Sequence, residues 1–235
     1  MLWPVGSADS SPARASTPHP RTRRRLLPGC PVFLAPTLTE RTLPPWSPRE
    51  KTPGVLSLAF VSRISPKKNL HRAIELLAKI PGEVSLDVYG PVEDPAYWTR
   101  CQQLITTLPP SKRVLAHGPT EPAGVLQAFS QAHAFLFPTL GENHGHVVPE
   151  ALSAGAVLLI ADTTPWRNLQ AEEAGWDLAL DDEPAWVAAL TTLSALDQAE
   201  FDVASRAAYA YAERLSSDRH AEVRSRALLH WSLLD

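Results

Sequence analysis

Two carboxylates, Glu142 and Glu150, stand eight positions apart in "GENHGHVVPEALSAG" (residues 141–155), with Gly145 and Pro149 between them. On one continuous helix they would lie ~80° apart around the axis and ~12 Å apart along it. Gly145 disfavours a continuous helix, and Pro149 is comfortable only in a first turn. Glu142 is therefore expected in a loop and Glu150 early in a helix. The N–H groups around Gly145, His146 and Val147 would then face a shared space. A helix start of this kind favours an anion, typically a phosphate. A carboxylate beside it is suited to accept hydrogen bonds from paired ribose hydroxyls. Spacing alone supports plain capping of the helix dipole equally well.

A second stretch, "SRISPKKNL" (62–70), supplies cations. Lysines at the start of a helix oppose its dipole, so a bound anion would account for them. A diphosphate fits, with Arg63 as a planar fork and Lys68 as a point charge. Lys67 reads as a solvated surface lysine. The set Glu142, His144, His146 and Glu150 matches no usual zinc spacing, so no metal is expected. Trp98 reads as core or lid. Trp166, in "TPWRNL", could pack on the ligand side or in the core. His117 and His133 read as satisfied structural histidines, and Asp181-Asp182 as a helix cap.

These residues need a frame. From Val55 onward apolar runs alternate with helical periodicities. Strands are expected at 55–63, 84–90, 113–118, 134–138, 157–162 and 175–180. Helices are expected at 69–80, 94–108, 122–132, 146–155, 183–195, 197–215 and 218–232. Alternation of this kind implies right-handed crossovers and a mainly parallel, doubly wound α/β sheet. Such sheets bind ligands beyond the carboxyl ends of their strands. Both charged stretches fall there.

The first 50 residues are different material. They hold ten of the 23 prolines, seven arginines, no lysine and three acids. Their charge of +4 within a total of −3 leaves −7 for residues 51–235. Proline at this density resists helix and sheet alike. We read 1–50 as a largely disordered tail and linker, with "CPVFLAPTL" (30–38) a short edge strand and "PPWSPREKTPG" (44–54) the linker. "RTRRR" (21–25) reads as solvated. Residues 51–235 form the folded domain. The acidic total argues against nucleic acid. Two cysteines suit a reducing cytoplasm. No apolar run approaches the ~20 residues of a membrane-spanning helix, and the start lacks the apolar core of a secretory signal.

"FVSRISPKKNL", followed by "VYGP", "HG", "FLFPTLGENHGHVVPEALSAGAVLLI" and "TPWRNL", resembles the C-terminal, donor-binding domain of glycosyltransferase family 4, the glycosyl transferases group 1 domain. The resemblance covers about residues 55–195. Its Arg-x4-Lys and Glu-x7-Glu pairs, in order, make it specific. It implies a Rossmann-like half of a GT-B enzyme, with the active site in a cleft between two such halves. Arg63 and Lys68 fall where the family binds the diphosphate of a nucleotide sugar. Glu142 falls where the donor sugar is held, and Glu150 where the ribose is held. The backbone of Asn143, His144, Gly145, His146 and Val147 would lie against sugar and phosphates. Ser62 and Asn69 flank the cations, and His117–Gly118 would line the base pocket. Ser62 replaces the usual glycine, and Glu-Asn-His-Gly replaces the commoner Glu-Gly-Phe-Gly.

The activity implied is transfer of a glycosyl group from a nucleotide-diphosphate sugar to an acceptor, with retention at the anomeric carbon. No cofactor and no obligatory metal are implied. A GT-B enzyme also needs an N-terminal, acceptor-binding half, which 50 proline-rich residues cannot supply. The chain is thus expected to be a fragment, or a half that works with a missing domain or partner subunit. A nucleotide-sugar-binding module without turnover is the alternative. A sugar-nucleotide epimerase matches the glutamate loop less well. Donor base, sugar and acceptor are not legible. A cytoplasmic location, or one peripheral to the inner face of a membrane, is expected, with cell-envelope polysaccharide the expected product class.

Overall fold

The computed structural model describes residues 43–143 and 145–217. Short apolar runs make its strands: β1 Val55–Val61, β2 Glu83–Tyr89, β3 Lys112–Gly118, β4 Ala134–Phe137, β5 Val157–Ala161 and β6 Gly175–Leu178. Successive strands from β1 to β5 are joined by α1 Leu70–Leu77, α2 Pro95–Thr106, α3 Pro122–Gln131 and α4 Val147–Ser153. After β6 come α5 Glu183–Ala195 and α6 Gln198–Ser216. The tail, the segment 30–38, the helix expected at 218–232, and His144 lie outside the described residues.

All six strands are parallel, in the order β3-β2-β1-β4-β5-β6. This is the Rossmann-like, doubly wound α/β sheet the sequence predicts. β4 and β5 are buried at every position, as central parallel strands covered on both faces must be. The edge strand β3 buries only Lys112. α1 packs on α2, and α4 packs on α3 and α6.

The order has a functional consequence. The chain enters mid-sheet at β1, runs outward to β3, then crosses back to place β4 beside β1. Leu58 there pairs with Ala134, and Ala59 with Phe135. The loops leaving β1 and β4 diverge at the point where the winding reverses, and open parallel sheets bind ligands there.

Three local expectations change. The helix read as 69–80 is α1, and a separate 3-10 turn, Pro66–Lys68, precedes it, with Asn69 between them at φ 62°. Both lysines thus sit on the turn, outside the α-helix. The helix read as 146–155 is the seven-residue α4, with Pro149 and Glu150 in its first turns and Gly155 at φ 70° beyond it. Of the Asp181-Asp182 pair, Asp182 caps α5, accepting from the Ala185 N–H at 3.1 Å.

The segment 43–54 has no helix or strand, as a linker would, but it is docked. Arg49 donates to the carbonyls of Phe129 (2.9 Å), Ala132 (2.7 Å) and Gly155 (2.5 Å) and to Ser205 Oγ (2.5 Å). The Trp46 indole N–H reaches the same hydroxyl at 3.0 Å, and the Arg206 guanidinium lies 3.7 Å from the Trp46 ring centroid. Lys51 Nζ donates to Ser194 O (2.9 Å) and Leu196 O (3.0 Å). His133 is satisfied at both ring nitrogens: Ser57 N donates to Nδ1 at 2.9 Å, and Nε2 donates to Glu50 O at 2.8 Å. Proline content hid this strap, because its anchors are single side chains with no periodicity. Most of them lie at the amino ends of the strands, opposite the candidate site.

Candidate functional site

The site is assembled from three loops at the carboxyl ends of β1, β4 and β5. The first leaves β1 at Ser62, whose N–H donates to Tyr89 O at 3.0 Å. A Cβ on Gly90 would stand 2.1 Å from Ser62 O, so only glycine admits this approach of the β2 end. Beyond it, Ile64 bridges to Val92 in parallel fashion. That bridge brings Glu93 to Arg63, and the two form an ion pair. Both are well exposed, at 56% and 45% of their side chains, so the pair adds little stability. It leaves most of the guanidinium's five donors uncommitted to Glu93.

The 3-10 turn then carries Lys68 inward, where it is 7% exposed. Its Nζ lies 2.6 Å from Glu142 Oε2 and 5.3 Å from the centroid of the Phe137 ring. A buried ammonium is tolerable only with such a partner. Asn69, in the left-handed conformation, donates from Nδ2 to Pro138 O at 2.8 Å. Leu140 N–H donates to Lys67 O at 2.9 Å. Asn69 and Lys67 thereby tie the loop after β1 to the loop after β4, across the switch point.

The second loop carries the glutamates. Glu142 Oε1 accepts from the Asn143 N–H at 2.8 Å. Gly145 has φ 64°, and its carbonyl accepts from Val148 N–H at 2.9 Å at the start of α4. His146 and Glu150 are exposed, and Val147 is half-buried. Thr139, fully buried, is held from the third loop by Thr163 Oγ1, which donates to its carbonyl at 2.7 Å. From that loop Trp166 packs against the core and against Gly145.

The structure thus brings Lys68, Asn69, Glu142, Asn143 and Gly145 together and sets Arg63 beside them on the same loop. Gly118 ends β3, two strands out from β1, and its carbonyl accepts from Gly90 N–H at 2.8 Å. His117 is partnered but exposed: its Nε2 is 2.6 Å from Asp87 Oδ1, and its ring stacks on Tyr89 with centroids 4.4 Å apart. Trp98 is half-buried against the core. Cys101 is buried, and burial pushes its thiol pKa up. Sequence reasoning missed Glu93, Thr139 and Thr163, because sheet register brings each to its partner. Among the described residues no three or more His, Cys, Asp or Glu converge as metal ligands, and no helix is long and apolar enough to cross a membrane.

A sheet of this order, with cations and carboxylates at its switch point, defines the Rossmann-like class of α/β domain, which takes ligands beyond the carboxyl ends of its strands. The glycosyl transferases group 1 family matches residues 48–200, more than half of the chain, and the chain belongs to that family. Its fold is that of one half of a GT-B glycosyltransferase. It is similar to Anabaena Alr3699/HepE in complex with UDP and glucose, at 18% identity and TM-score 0.63, over 77% of this chain and 49% of that one. It is similar to WaaG, a glycosyltransferase involved in lipopolysaccharide biosynthesis, at 18% identity and TM-score 0.59, over 73% and 47%. A lipopolysaccharide outer core galactosyltransferase, WaaB, gives 19% identity and TM-score 0.60, over 85% and 55%. The chain spans about half the length of these structures. Comparison with curated protein sequences gives no match.

Proposed function

We propose that this chain is the donor-binding half of a glycosyltransferase that moves a sugar from a nucleotide-diphosphate sugar to an acceptor, with retention. The observation that carries this reading is the Lys68–Glu142 cluster at the switch point of a glycosyl transferases group 1 domain. Departure of a nucleoside diphosphate builds negative charge on phosphate and positive charge on the sugar. Arg63 and Lys68 stabilise the first by preorganised electrostatics. Glu142 holds and orients the sugar. Glu150, on the exposed first turns of α4, accepts from the ribose hydroxyls. Asn143, Gly145, His146 and Val147 line the sugar and phosphates with backbone, and Ser62 and Asn69 flank the phosphates. Gly118, at the end of β3 two strands out from β1, lines the base.

Acceptor binding falls to an N-terminal half or a partner subunit. We favour cell-envelope polysaccharide as the product class, and a cytoplasmic or inner-membrane-peripheral location, because WaaG serves lipopolysaccharide biosynthesis. A second reading is a nucleotide-sugar-binding module without turnover. Incubation with labelled UDP-, GDP- and ADP-sugars tests both. Transfer or donor hydrolysis supports the enzyme, and donor binding without either supports the module. Binding of none of the three removes the donor-site reading.

A further inference from the structure

The loop after β5 carries no donor-binding role in the reading above, yet it is built as firmly as the loops that do. Thr164, buried, receives the Trp166 N–H on its hydroxyl at 3.3 Å, and its own N–H reaches Ala161 O at 3.2 Å. Further on, Leu169 N–H donates to Asp177 Oδ1 at 2.9 Å, and Arg167 donates to Asp162 O. Between these anchors the Trp166 indole lies half-buried against the core.

Gly145 rests against that indole. A Cβ there would stand 2.9 Å from Trp166 Nε1, 3.2 Å from its Cδ1 and 3.4 Å from Glu142 Cγ. The glycine is thus required twice, by its φ of 64° and by the ring against its α-carbon. Glu142 precedes this contact by three residues and α4 begins two residues after it. An indole is wide, flat and has only two rotatable side-chain bonds, so it fixes a backbone segment laid on it more firmly than an aliphatic chain does.

We propose that Trp166 is a positioning residue of the donor site: its indole is the floor under Gly145 that sets the height of residues 145–147, and with it the Glu142 carboxylate and the N–H groups of His146 and Val147. The inference rests on the donor-site reading and adds to it a third loop, from β5, that touches the donor only through another.

The test is a cycle between Gly145→Ala and substitutions at Trp166, read as UDP dissociation constants by calorimetry at a temperature where circular dichroism shows every variant folded. Trp166→Leu keeps bulk but loses the flat surface, and should weaken UDP binding about 10-fold, a loss of about 1.4 kcal/mol. Trp166→Phe restores a flat ring and should come within about 3-fold of the parent, a gap of under 1 kcal/mol. Gly145→Ala should cost about 10-fold in the parent but only about 2- to 3-fold beside Trp166→Leu, since contacting residues are not additive. A purely structural tryptophan would lower the melting temperature and leave the dissociation constant in place. That result, or an equal cost of Gly145→Ala in both backgrounds, overturns the proposal while the donor-site reading stands. If the parent binds neither UDP, GDP nor ADP, both fall together.

Discussion

Lys68 Nζ stands 2.6 Å from Glu142 Oε2, joining the loop after β1 to the loop after β4 with a part-buried ion pair. Each is a proposed grip on the donor, and each already holds the other. An arriving diphosphate must therefore share or take over the lysine. Glu142→Gln should bind UDP more tightly than the parent, by about 5-fold for a competing contact worth about 1 kcal/mol. Sugar transfer should fall in the same variant. The gain should vanish beside Lys68→Met. Equal tightening in both backgrounds would mean that bulk charge, and not competition for the ammonium, is responsible.

Glu150 is exposed in the first turns of α4, and its proposed partner is the ribose. Glu150→Ala should then weaken UDP and UDP-glucose by the same factor, about 10-fold for a charge-assisted hydrogen bond. Glu142→Ala should instead reduce the preference for UDP-glucose over UDP. Isothermal titration with both ligands separates the two roles. Identical profiles for the two variants would dissolve the division of labour.

Arg49 is the centre of the strap under the sheet. Burial lowers its pKa to about 10, still far enough above neutrality to keep it charged. Its guanidinium serves three carbonyls and a hydroxyl. Arg49→Met should leave those acceptors without their donor and cost about 3 kcal/mol or more. Arg49→Lys should recover little of it, because an ammonium lacks the planar fork. Urea denaturation of the three proteins measures both statements.

His133 gives a pH dependence with a definite sign. Burial lowers its pKa from 6.5 to about 4; the bond to Glu50 O opposes this, the nearby Lys51 and Arg49 charges add to it, and protonation would break the bond from Ser57 N. The unfolded chain therefore binds a proton that the folded chain does not, between those two values. Stability is full above about pH 6.5 and falls as the pH drops toward 4, by about 3 kcal/mol from this group at most. Denaturation midpoints at pH 7.5 and pH 5 should differ, and the difference should shrink in His133→Gln. A flat profile in the parent would refute the assignment.

The strand and helix order was legible because buried parallel strands are nearly continuous apolar runs and α1 carries a strong apolar stripe. In the candidate site, Lys68 and Glu142 stood out as residue types at fixed spacing, and the structure brings these two into contact. What joins their loops was not legible. Asn69 bonds Pro138, and Lys67 bonds Leu140, through contacts more than 65 residues apart that no local pattern announces. Glu93 meets Arg63 because the parallel register of β1 and β2 continues past the strand ends into the Ile64–Val92 bridge. The 3-10 turn was read as helix because its lysines precede a genuine amphipathic run and Asn69, at φ 62°, breaks the geometry without breaking the pattern.

The strap also bears on recombination. Gln198 Nε2 donates to Arg49 O at 2.8 Å, and Tyr209 OH donates to Pro44 O at 2.9 Å. A chimera joined at Val55 would inherit all six described strands and both ends of the candidate site, yet α6 would face a foreign sequence where its own residues 44–51 belong. Joints placed ahead of Leu43 keep the strap with the helix it serves. Domains exchanged at such joints should fold, and those cut at the first strand should not.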